Sequence, residues 1–78
     1  MANSDGKDDK THLKELHDRG ELGSVTYTEK RVGGTDHEPG WEAVARLPDG
    51  RAARGTGRSK AEADQNAAAA LRQKHKLP

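Results

Sequence analysis

Few side chains in this 78-residue sequence could do chemistry, and the most concentrated of them are basic. Residues 51 to 60 carry Arg51, Arg54, Arg58 and Lys60 with no acid among them, although the whole chain has 14 basic and 13 acidic residues and a formal net charge of only +1. Four like charges so close together are either a solvated strand and turn or a surface that meets an anion. For Arg51 and Arg54 the two readings weigh equally, since one face of a strand points away from a site on the other. Arg58 and Lys60 are the stronger candidates.

Spacing argues against most other chemistry. His12 and His17 are five residues apart, roughly 140° around a helix, so they do not share a metal. With no Cys there is neither a disulfide nor a thiolate zinc site. Gly55-Thr56-Gly57 is not a nucleotide loop, because Lys60 stands where a third glycine is needed and the Walker spacing is absent. No Ser, His and Asp arrangement suggests a nucleophile. The expectation is therefore a binding protein without catalysis, metal or cofactor.

The elements that hold these residues have a thin core to work with. Of 23 apolar residues 11 are alanine, and Leu, Ile, Val and Phe together number nine. That fraction is typical of disordered chains, but the balanced charge removes the self-repulsion that would open this one. One small, marginally stable domain is expected. No apolar run reaches eight residues and the opening MANSDGKDDK has no hydrophobic segment, so no membrane span is expected. The lack of Cys suits a reducing compartment, and the expected location is the cytoplasm.

Residues 1–9 are polar, with Gly6 and three aspartates, and read as a disordered tail. Leu13 and Leu16 share one stripe of a first helix from Thr11 to about Arg19, stopped by Gly20. Val25 and Tyr27 begin a strand over residues 25–32 that ends at Gly33-Gly34. After the turn-rich GGTDHEPG, Trp41, Ala43, Ala45 and Leu47 alternate with Glu42, Val44 and Arg46 as a one-sided strand. Pro48-Asp49-Gly50 turns the chain back into a third strand from Arg51 to about Thr56. Ser59-Lys60-Ala61-Glu62 fits a capping box that opens an alanine-rich helix over residues 60–75. The expected fold is α+β, a two-layer α-β-β-β-α domain over residues 10–76 in which two helices cover one face of a three-stranded antiparallel sheet. Trp41 and Tyr27 are expected to fill the layer between them.

On these elements the sequence resembles the double-stranded RNA-binding domain, in the form found at the carboxyl end of bacterial ribonuclease III. Lys10-Thr11-His12-Leu13-Lys14-Glu15 resembles the K-T-x-L-x-E opening of that domain. Tyr27, the loop residues Gly34-Thr35-Asp36-His37 and Trp41 follow at its spacing. Gly55-Thr56-Gly57 with Ser59-Lys60 resembles its G-x-G-x-S-K run, and Gln65 and the alanines come next. The resemblance implies a partner, duplex RNA, read by shape. Thr11, Lys14 and Glu15 would face one minor groove, Glu15 accepting from ribose 2′-hydroxyls, and His37 would face the next. Lys60, aided by Arg58, would meet phosphate at the start of helix two.

The departures from the family pattern lower the expected affinity. The run K-K-x-A-K reads Lys60-Ala61-Glu62-Ala63-Asp64, one lysine of three, and Lys60 and Asp64 stand one turn apart, where they could pair. Thr35 replaces a common loop proline, and Lys14 stands where glutamine is frequent in the ribonuclease III type. The expected protein is a free-standing RNA-binding module. The alternative is a protein-interaction or homodimerisation module of the same fold with an eroded RNA face, and the missing lysines favour it.

Overall fold

The computed structural model describes residues 9–34 and 39–77. Helix α1 spans Asp9–Asp18. It starts two residues before the expected Thr11 and takes Asp9 out of the expected tail, for a reason absent from the local sequence. The Gln65 side-chain carbonyl accepts from the backbone amides of Asp9 at 2.6 Å and Lys10 at 3.1 Å, so two of the unpaired donors of the first turn are satisfied from the far end of the chain. Arg72 adds an ion pair to Asp9 at 2.5 Å. The helix ends as expected at Gly20, whose φ of +78° closes a Schellman turn. There the Gly20 amide donates to the His17 carbonyl and the Glu21 amide to the Leu16 carbonyl, both at 2.9 Å.

Strands β1 (Thr26–Gly34), β2 (Pro39–Arg46) and β3 (Ala52–Gly57) form an antiparallel sheet in that order. β1 and β2 run further into the glycine-rich connection than expected, pairing Gly33 with Gly40 and Gly34 with Pro39 beyond an irregularity after Arg31. Period two fixes the faces. On the inner face Tyr27 pairs with Ala45 and Ala45 with Ala53, Glu29 with Ala43 and Ala43 with Gly55, and Trp41 with Gly57. The β2–β3 turn is the expected one, closed by the Leu47 amide on the Arg51 carbonyl at 2.8 Å with Gly50 at φ +99°.

Helix α2 (Lys60–Lys74) lies on the inner face and presents Ala63, Ala67, Ala68 and Leu71, all buried. Small residues face small residues here, Ala43, Ala45, Ala53 and Gly55 lying beneath. The approach is so close that a Cβ at Gly55 would overlap the backbone of Asn66 and Ala67. α1 packs beside α2 rather than onto the strands and inserts Leu13 and Leu16. The large, fully buried side chains are therefore Leu13, Leu16, Leu47 and Leu71. Trp41 and Tyr27, expected to fill the layer, are only half-buried at its margin. With the helix backbone this near the sheet, the layer has no room for aromatic rings.

Two substitutions test this packing. Gly55→Ala should destabilise at or above the upper end of the about 1–3 kcal/mol typical of overpacking, because the obstacle is backbone. A urea midpoint equal to that of the wild type would contradict the close approach. Gln65→Ala should cost about 1–2 kcal/mol through the lost cap and speed amide exchange in the first turn of α1 before the rest of the helix. Uniform exchange along α1 would show that its start does not depend on Gln65.

Candidate nucleic-acid interface

The first turn of α2 is held from both sides. Ser59, in extended conformation, accepts from the Glu62 amide at 3.1 Å, and the Glu62 carboxylate reaches back to the Arg58 amide at 2.6 Å. This is the expected capping box with its return bond moved one residue toward the N-terminus. Gly57 makes room for the turn, since a Cβ there would lie 2.8 Å from the Ala63 nitrogen. Lys60 is exposed, its Nζ 5.1 Å from the centroid of the Trp41 ring across the same gap. The ring orients the cation without neutralising it.

The pair considered between Lys60 and Asp64 does not form. Asp64 is turned into the protein, only 7% exposed, and meets Lys10 Nζ at 3.4 Å. Lys10 also stands over the Tyr27 ring, 5.0 Å from its centroid. Lys10, Asp64 and Gln65 thus tie the first turn of α1 to the first two turns of α2. Lys60 keeps its charge beside the unpaired amides and positive dipole end of α2, where an anion is favoured.

On α1, Thr11, Lys14 and Glu15 follow a spacing of three and four residues and share one side of the helix. Thr11 and Lys14 are exposed and line a groove with Lys10, Val25 and Tyr27, while Glu15 is half-buried. Lys14 pairs with Asp18 at 3.5 Å, an exposed contact worth little that a phosphate would displace. His37 lies outside the described residues. The structure therefore places the α1 set and Lys60 on two helices whose first turns are bonded together, with Arg58 just ahead of the α2 cap, and it divides the basic run of residues 51 to 60.

Arg51 is tied to Asp49 at 2.8 Å in the β2–β3 turn. The Arg51 amide, and then its guanidinium, hold the Asp49 carboxyl below its ordinary range. Arg54 is on the outer sheet face, 3.6 Å from Glu42, which also faces Lys30 at 3.7 Å. Both arginines serve the sheet and its turn rather than the helix ends.

One group escaped the sequence reading. Glu29 occupies an inner-face position of β1 opposite Ala43 and beside Asp64. A hydrogen bond to Asp64 first, then desolvation and the Asp64 charge, raise its pKa above the ordinary 4.5, against the opposing pull of Lys60 and Lys10. The signal was present: the alternation of Val25 and Tyr27 carries residue 29 onto the buried face.

Among the described residues, no group of three or more His, Asp or Glu side chains could hold a metal ion, and no helix is long and apolar enough to cross a membrane. No curated protein matches the chain. The family model described as the double-stranded RNA binding motif matches residues 10–75, from the lysine that joins the two helices to the C-cap of α2. With that match over most of its length and an α-β-β-β-α order to carry it, the chain belongs to the double-stranded RNA binding motif family.

Proposed function

We propose that the protein is a non-catalytic module that grips A-form duplex RNA by its shape, in the manner of the carboxyl-terminal domain of bacterial ribonuclease III that its sequence resembles. The observation that carries this reading is Lys60, held exposed over Trp41 at the start of α2 while the neighbouring acid Asp64 is engaged elsewhere. Family membership supports it, since such domains in general bind RNA without catalysis. Lys60 and Arg58 meet phosphates across the major groove. Thr11, Lys14 and Glu15 enter the minor groove on one side of it and His37 the minor groove on the other. Glu15 is an acceptor for ribose 2′-hydroxyls, which DNA lacks.

Gel retardation with a duplex RNA of about 20 base pairs, longer than the roughly 16 that such a domain covers, and the matching duplex DNA tests the reading. The RNA should shift with little sequence preference, and its log affinity should fall linearly with log salt. Lys60→Ala should weaken all duplexes alike and flatten the salt slope by about one. Glu15→Ala should lower RNA affinity more than DNA affinity. Absence of an RNA complex at low salt would overturn the proposal.

A further inference from the structure

α1 packs beside α2 and leaves the start of the sheet uncovered, so a cleft of about 520 Å³ opens between one side of α1 and the segment that leads into β1. Leu13, fully buried, walls it from the helix, and half-buried Val25 and Tyr27 wall it from the strand. Its lining is more apolar than polar. A recess of this size falls within the about 300–1,000 Å³ of sites that enclose small ligands.

The polar groups around the cleft are mostly donors. Lys10 Nζ stands 5.0 Å from the Tyr27 centroid and gives one of its three hydrogens to Asp64 at 3.4 Å, which leaves two. Lys14 holds Asp18, the one acid of the lining, at 3.5 Å in an exposed pair. His17 Nδ1 lies 3.0 Å from the Leu22 carbonyl, so that nitrogen carries the hydrogen and Nε2 is left for other partners. The exposed Thr11 and Ser24 add hydroxyls.

The cleft is continuous with the helix surface already assigned to the minor groove, because Thr11 and Lys14 belong to both. A regular A-form duplex offers that surface riboses, phosphates and shallow base edges. None of these projects far enough to fill a recess walled by leucine, valine and a tyrosine ring. An apolar peptide side chain would suit the walls but leave the lysine donors unanswered. An unpaired base matches both parts, since its flat faces pack on apolar and aromatic groups, its rim accepts hydrogen bonds, and it comes attached to phosphate.

We propose that the cleft receives an unpaired base, so that, on the RNA reading above, the protein prefers duplexes interrupted by a bulged nucleotide. The base packs against Val25 and Tyr27 and presents its rim to Lys10 and His17. Lys14 meets the adjoining phosphate, which displaces its weak pair with Asp18. Uridine is the apt probe, because its two carbonyl oxygens answer a donor-rich lining.

The test uses the full chain and three duplex RNAs of about 20 base pairs and one sequence: uninterrupted, with a single bulged uridine, and with an abasic residue in place of that uridine. The bulged duplex should bind about fivefold more tightly than the abasic one, the lower end of what stacking one base contributes. The comparison cancels any effect of the bulge on the bending of the duplex. In the bulged complex, intermolecular NOEs should connect uracil H5 and H6 to the Val25 methyls. Val25→Phe, which fills the cleft, should bring the bulged and abasic duplexes to equal affinity. Equal affinity of the two for the wild-type protein would overturn the cleft assignment and leave the RNA reading intact. A preference that survives Val25→Phe, or uracil NOEs to other residues only, would overturn it as well. Failure of the wild-type protein to bind any of the three duplexes at low salt would instead overturn the RNA reading, and the base site with it.

Discussion

The structure depends on how closely the backbone of α2 lies to β3. Gly55 permits that approach, because a side chain there would collide with the peptide between Asn66 and Ala67. Alanine on the helix and alanine or glycine on the strands let two backbones meet with little between them, which is how a chain so poor in large apolar residues closes a core. The same approach sets the position of everything polar. It brings the first turn of α2 beside the end of β3 and Trp41, and it carries Gln65 to the amides that start α1.

The acids of α2 are arranged so that they do not oppose its cations. Glu62 is turned back to cap the Arg58 amide, and Asp64 is buried against Lys10. A linear reading of Lys60-Ala61-Glu62-Ala63-Asp64 suggests a helix start whose charges cancel. In three dimensions the two carboxylates face the helix end and the interior, while Lys60 faces outward. This is how a nearly neutral chain presents a locally cationic surface. Lys10 is used differently: although it opens the family-like string on α1, its partly exposed side chain is engaged by Asp64 and the Tyr27 ring.

Much of this was legible in the sequence, where the cause was local. The stop at Gly20, the cap at Ser59, the Pro48-Asp49-Gly50 turn and the alternation from Trp41 to Leu47 each depend on residues a few positions apart, and the structure keeps all of them. What was not legible depends on contacts distant in the chain. The start of α1 at Asp9 is decided by a glutamine 56 residues away. The fate of Asp64 was open between a neighbour one turn away and a lysine 54 residues away, and the distant partner prevails because α1 packs beside α2. The marginal place of Trp41 follows from a helix-to-sheet distance that no single position encodes. Glu29 was overlooked for a different reason: a carboxyl on an inner-face position makes no sense until its partner is visible.

The bonds between the helices have a consequence for how the proposed interface would recognise a duplex. A-form grooves present ribose and phosphate at fixed separations, so a module that reads shape has to hold its contact groups at fixed separations as well. Here the spacing between the α1 set and Lys60 is not set by a hinge or a loop. It is set by the Gln65 cap, the Lys10 ion pair and the bond from Arg72 to Asp9, all of which join α1 to α2 directly. Preorganisation of that kind reduces the entropy lost on binding, which matters most for a surface with few cations to spare. Affinity in such a module is a property of the helix pair as much as of the side chains that touch RNA. Loosening the joint between α1 and α2 would weaken binding while every contact residue remained in place.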